Sequence, residues 1–449
     1  MGTEIKDLRS FLAVLKENQL LYEIYKEVDW NLEAGSVIAT AQNESGKTVL
    51  FNQIKDREGF RLCAGVLGSM EQVALAVRCE KTGISEKINY CRENPIPTKI
   101  VGKGACQENV ISGEDVDLYK IPIPKHAPMD GGPVITGGIC FSRSIHGGRH
   151  NMGYNRMHVK DKITTGICIN EWRHLKEFYD EASLEGKALP VSIVSGVDPA
   201  LYIAAGMRYD GEEIAVAGAI RGKAVEVVKS VTNDIYVPAH AEVVIEGVIL
   251  PGEQEYEGPL GEFTGHYGQP WLSPVFKVTA ITYRNDPIFQ TINGASFEHI
   301  NLGNVVPREP MLLEHTRYVS DGVKAVHIPP YGSGFLAIVQ VKKKNPGEPK
   351  NIALAAMTSH VNIKNVIVVD EDVDIYNPND ILWALSTRVI PEQDIFTIPN
   401  AQGHEMDPGS DKRGLQTKMG IDATLSEGNK SFERVKYPEV DLKAYLKLL

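Results

Sequence analysis

Nowhere does the chain run to 18 consecutive apolar residues, so no membrane-spanning helix is expected. Positive charge is also short. Against 58 Asp and Glu there are only 47 Lys and Arg, leaving a formal charge of −11, the wrong sign for a nucleic-acid footprint. The six cysteines (63, 79, 91, 106, 140 and 168) form no CxxC pair, which argues against both a disulfide framework and a structural zinc site. The opening "MGTEIKDLRS" lacks the apolar core of a secretion signal, and Lys6 stands where myristoylation wants Ser or Thr. A cytoplasmic protein is expected. Missing too are GxGxxG after a strand, a Walker loop, a GxSxG elbow and HExxH. The common nucleotide-binding, hydrolase and zinc-protease readings therefore lack support.

What is present is ordinary for a folded enzyme. Hydrophobic residues make up 43% and charged ones 23%, and 449 residues are too many for one core, so two or three domains are expected. "IKDLRSFLAVLKENQLL" repeats Leu8, Leu12 and Leu15 at helical spacing, and a mixed α/β stretch follows to about residue 100. "DLYKIPIPKHAPMDGGP" (117–133) reads as a Pro/Gly-rich connector. From 134 to 300 the signals turn to β, from "VITGGICFS" to "FKVTAITYR" and "PIFQTIN", with a helix inserted at "NEWRHLKEFYDEASLEG". Short strands with Gly turns predict an antiparallel barrel or sandwich. "KNVIVVDEDVDIYNPNDILWALSTR" has the strand, turn and helix of an α/β unit, and "EVDLKAYLKLL" reads as a closing amphipathic helix.

The chemistry concentrates in "EYEGPLGEFTGHYGQPW" (255–271), where Glu257 and Glu262 stand five apart. On a helix that spacing turns the second side chain by roughly 140°, and on a strand it sends the two to opposite faces. Only a turn aims both at one point, and Gly258, Pro259 and Gly261 are turn residues. Converging like charges would raise one pKa and make that carboxyl a proton donor, and an arginine would hold the other ionised. Arg156 in "HNMGYNRMHVKDK" is a candidate for that arginine, although alone it would be a surface charge. Asn151, His174 in "NEWRHL" and Glu213 in "MRYDGEEIAVAGAIRG" offer an amide oxygen, an imidazole and a carboxylate, a mixed shell suited to Mn²⁺ or Mg²⁺. Glu212 and Glu213 are read as leading into a small-residue strand.

These stretches, in this order and over nearly the whole chain, resemble the UbiD family of decarboxylases, which use prenylated flavin mononucleotide. The resemblance continues through "VEVVKSVTNDIYVPAHAEVVIEGVI", "EGPLGEFTGHYG", "LWALSTR" with Arg388, and "KMGIDAT" with Asp422. It implies an α+β multidomain fold: an N-terminal α/β region (1–116), a split-barrel flavin domain (117–305) and a C-terminal α/β oligomerisation domain (306–449). It implies a divalent ion on Asn151, His174 and Glu213 gripping the flavin phosphate, a potassium ion near "AAGM" (204–207), and cofactor contacts from Gly153, Arg173, Met207 and Arg388. Arg156, Glu257 and Glu262 would form the catalytic set, with Glu262 as proton donor.

The implied reaction is reversible decarboxylation of an aromatic or heteroaromatic acid through a covalent substrate–flavin adduct. "GASFEHINLGNVVPREP" (294–310) would line the substrate pocket with Phe297, His299 and Arg308. A flavin prenyltransferase of the UbiX type would supply the cofactor, and a homodimer or homohexamer is expected. Open alternatives are an α,β-unsaturated acid decarboxylase, a subunit of a multicomponent carboxylase, a manganese hydrolase without flavin, and a flavin-binding module without activity.

Overall fold

The computed structural model describes residues 4–148, 150–171 and 173–426, together with 434, 435, 437, 438, 440, 441 and 445. The expected C-terminal helix at 439–449 falls largely outside the described residues. The N-terminal helix spans Leu8–Glu17. Asp7 and Ser10 cap it reciprocally, and Leu8, Phe11, Leu12 and Leu15 are buried along one stripe, as their spacing predicts. None of the described helices is long and apolar enough to cross a membrane.

The main body is a nine-stranded, fully antiparallel sheet. Its spine is a hairpin of two long strands, Val243–Glu257 and Trp271–Tyr283, paired from Val243↔Tyr283 to Glu257↔Trp271. The loop carrying Glu262 hangs from the end of that hairpin. Both faces of the sheet are apolar, because alternate side chains feed different cores. Ile139, Phe141 and Val194 join Phe11 and Tyr202, whereas Cys140 and Ile193 join Phe51, Phe276 and Phe289. "PIFQTIN" leaves this sheet. Its strand Ile288–Gln290 pairs in parallel with Arg61–Ala64 in a four-stranded N-terminal sheet, since a buried apolar strand carries no mark of which sheet it will join.

"EEIAVAGAIRG" also departs from expectation, forming the helix Glu213–Arg221 in place of a strand. A short apolar run is ambiguous between buried strand and buried helix, and here the run is buried nearly all round. The C-terminal region is a five-stranded sheet. The strand Asn365–Asp370 is buried at its centre and is followed by the helix Pro378–Arg388, as read from the sequence.

Candidate active site

Arg156 lies between the strands His150–Tyr154 and Met157–Val159, and its backbone is pinned there. Its carbonyl accepts from Cys168 N at 3.0 Å, and Asn155 Nδ2 donates to Cys168 O at 2.7 Å. From this fixed base the guanidinium reaches both acids. Nε donates to Glu257 Oε1 at 2.9 Å, and Nη1 donates to Glu262 Oε1. Trp271 lies beneath the guanidinium, 5.2 Å from Cζ to ring centroid, and donates Nε1–H to Glu257 Oε2 at 2.8 Å. Glu257 is fully buried and Glu262 is 6% exposed. Burial alone would lower the Arg156 pKa, but Glu257, Cys168 and Glu262 more than offset it and hold it above its ordinary value. The two carboxylates five apart therefore do meet at one point, across a turn in which Gly258 adopts φ +90.

The supposed connector 117–133 grips that turn. Asp130 accepts from Ala127 N at 2.8 Å and from Gly261 N at 3.3 Å, while Gly131 N donates to Pro259 O at 2.9 Å. On the other side, burial and then Lys160 push His158 down to about 4, so the neutral Nδ1 accepts from Gly258 N at 3.3 Å. Asp130, His158 and Trp271 escaped the sequence reading. Only the acidic residue among "APMDGGP" hinted that this stretch does more than connect. Gly294 closes the cradle, because a Cβ there would stand 2.4 Å from Gly261 O. Gly261 directly precedes Glu262, so a shift of its carbonyl would carry the acid with it. We expect Gly294→Ala to lower kcat by on the order of 10²-fold with flavin content retained, checked by steady-state kinetics and the absorbance spectrum.

The proposed metal ligands share one neighbourhood. Glu213, at the first turn of its helix and 3% exposed, accepts from Met152 N at 3.2 Å, and its other oxygen lies 3.9 Å from His174 Nδ1. Asn151 and Gly153 alternate with the core residue Met152 and so share the opposite face of their strand. A Cβ at Gly153 would lie 3.8 Å from Asn151 Nδ2 and 4.0 Å from Ala205 O, so that face runs directly to the backbone before Met207. Met207 itself is 4% exposed within the first core. Arg173 precedes the helix His174–Leu184, in the field of Arg208 and Glu213. Among the described residues no group of three His, Cys, Asp or Glu gathers for a metal.

On the substrate side, His299 sits in the fields of Glu262 and Arg156, with its pKa lowered chiefly by burial and its Nδ1 buried without a partner. Phe263, next to Glu262, makes edge contacts to His299 (6.4 Å between centroids) and His404 (5.6 Å). Arg308 Nη1 is likewise buried and unpartnered, and burial followed by Arg173 pushes that guanidinium down to about 9. His360 is driven to about 3 by burial and then by Arg308 and His404. Arg308 thus brings one buried, unpartnered donor close to His360 and His404, whose pKa values burial lowers. His404 and His360 come from the C-terminal region and carried no sequence signal. Phe297 is 37% exposed on the same short helix as His299.

Arg388 is a correction. Expected at the flavin phosphate, it instead binds Asp370 and Asp372 at 2.8 and 2.6 Å and stacks on Trp383, all within the C-terminal unit. Two local carboxylates and an aromatic face already occupy the guanidinium. Asp422 likewise serves locally, accepting from Thr424 N at 3.0 Å.

Three family models match in succession: the N-terminal domain of the UbiD carboxy-lyases at 12–91, their Rift-related domain at 99–296 and their C-terminal domain at 303–423. Among solved structures, the UbiD-class enzyme HmfF of Pelotomaculum thermopropionicum in complex with FMN is 38% identical, with TM-score 0.92, over 98% of this chain and 100% of that one. An evolved dimeric form of the same enzyme, in complex with prFMN, is 36% identical with TM-score 0.89 over the same shares. The anhydromevalonate phosphate decarboxylase of Methanosarcina mazei is 36% identical over 96% of this chain and 99% of its own. The phenolic acid decarboxylase of Bacillus subtilis is 34% identical over 93% and 92%.

Proposed function

The chain belongs to the UbiD family of carboxy-lyases, and from that premise we propose that it reversibly decarboxylates an aromatic or heteroaromatic carboxylic acid, with Glu262 as proton donor. The observation that carries this reading is the single guanidinium of Arg156 bound by both buried acids of the 257–262 turn. The flavin-bound relatives support a flavin cofactor, and prenylated FMN is the form we assign.

When bound, that group supplies an electron sink for the pair left behind by CO₂. The chain's own residues hold, orient and protonate. Asn151, His174 and Glu213 would carry Mn²⁺ or Mg²⁺ against the phosphate, whose charge is about −2 at neutral pH. Backbone at 204–207 would take K⁺, and Gly153, Arg173 and Met207 are assigned to cofactor contacts. Arg156 sets the angle of both acids, Glu257, itself held by Trp271, anchors Arg156 directly, and Glu262 returns a proton to the carbon that loses CO₂. Phe297, His299 and Arg308 are assigned to the substrate.

A second reading, an α,β-unsaturated acid bearing a further anion, has one specific support. The unpartnered Arg308, with Arg173, His360 and His404 about it, matches a second negative group, and the archaeal relative is named for a phosphorylated acid. Enzyme co-produced with a UbiX-type prenyltransferase should release CO₂ from hydroxybenzoates of the protocatechuate type or from furan, pyrrole or indole carboxylates. Release only from a phosphorylated alkenoic acid would move the assignment to the second reading, and release from none would remove both. A homodimer or homohexamer is also proposed. Exposed Leu354, Leu382 and Ile390 on the C-terminal unit favour it.

A further inference from the structure

Glu298 adjoins His299 but points the other way, into the protein, where it is fully buried. Its carboxylate lies against the N-terminal loop 65–67. Gly65 N donates to Oε2 at 2.7 Å and Leu67 N to Oε1 at 3.0 Å, with Val66 N contributing a further contact. Successive amides turned toward one anion form a backbone nest. The nest needs Gly65, whose φ is +76 and whose Cβ would stand 2.7 Å from Gln42 Nε2.

Among the described residues no cation faces this carboxylate. The titratable groups around it are the Cys63 thiol of the N-terminal sheet and the phenols of Tyr154 and Tyr202. Both phenols donate elsewhere, Tyr154 to Tyr202 O at 2.5 Å and Tyr202 to Gly137 O at 2.7 Å. A second tie runs beside the first, from Asn301 Nδ2 to Leu67 O at 3.0 Å. An unpaired carboxylate in the core is a costly way to fasten a turn that apolar packing could hold. What it supplies is a directional link between the N-terminal loop and the one short helix that carries His299.

We propose that Glu298 is a positioning residue: its ionised carboxylate straps the Phe297–Ile300 turn to the 65–67 loop and thereby fixes where His299 stands relative to Glu262. The strap itself is independent of the functional reading above, whereas its effect on substrate rests on that reading. Burial raises the Glu298 carboxyl to about 7, the three backbone amides pulling the other way. As pH falls through that value the carboxylate takes a proton, an O–H turns toward donors, and the strap slackens. The folded-state value is raised, so the stability linked to protonation is fully present below the unfolded-state pKa and is lost as pH rises through about 7. Function and stability therefore move oppositely with pH.

The test compares wild type and Glu298→Gln as holoenzymes. Amide hydrogen exchange at one fixed pH should speed up in both 65–67 and 296–301 in the variant, and unchanged exchange in either segment overturns the strap. With a substrate from the acid panel, KM should rise on the order of tenfold while kcat and flavin content change little. Wild-type KM should climb as pH falls through about 7, and the variant's should stay flat. Equal KM in the two proteins, or parallel pH profiles, overturns the positioning role. Should the variant fail to accumulate, a wild-type KM that does not move through that interval overturns it by itself. A wild type inactive on every acid removes the functional reading and leaves the exchange measurement to decide the strap.

Discussion

Glu262→Gln is expected to lose turnover by ~10²–10⁴-fold while binding flavin as the wild type does. The variant is nearly isosteric. Its amide oxygen can still accept from Arg156, and the backbone contacts that shape the turn, Glu262 N to His266 O at 2.9 Å and Gly265 N to Glu262 O at 3.0 Å, involve no side chain. Only the proton is lost. The near-ultraviolet and visible spectrum should therefore be unchanged, and CO₂ release and solvent deuterium incorporation at the substrate carbon should fall together. A variant that keeps turnover within a few-fold of wild type would strip Glu262 of its role. His299, in the same field and with a free Nδ1, would then be the next group to examine.

How much of this was legible in the sequence depends on the range of the contacts involved. The turn of Glu257 and Glu262 could be read because Gly258, Pro259 and Gly261 constrain backbone locally, and the N-terminal helix because its apolar stripe is periodic. The partnership of Arg156 with those acids spans 101 and 106 residues, and only the ordered resemblance to a family linked them. Asp130 was hidden differently. A carboxylate in a Pro/Gly-rich stretch looks like a solvated turn until the fold sets Gly261 N against it. Arg388 shows the converse error, a basic residue assigned to a remote anion when Asp370 and Asp372 lay 18 and 16 residues away. The strand Ile288–Gln290 and the helix Glu213–Arg221 were misplaced for one shared reason: full burial erases the periodicity that tells sheet from sheet and strand from helix.

Arg156→Met should be the most damaging substitution for the fold of the site as well as for its chemistry. It leaves Glu257, fully buried, and Glu262, 6% exposed, facing each other with no cation between them. Removing one partner of a buried ion pair costs about 3–5 kcal/mol, because the remaining charge has lost both water and counter-ion. Two carboxylates sharing one dry site resist simultaneous ionisation, so one must bind a proton for the site to close. The variant's deficit in unfolding free energy relative to wild type should therefore widen as pH rises and narrow on acidification, measured by denaturant titration at several pH values. Arg156→Lys separates charge from geometry. An ammonium restores the cation but lacks the planar fork that donates to Glu257 through Nε and to Glu262 through Nη1 while lying over Trp271. That variant should recover most of the lost stability and little of the activity. Full recovery of turnover by lysine would mean that the site needs only a positive charge, and that the fixed angle between the two acids, on which the assignment of Glu262 depends, is dispensable.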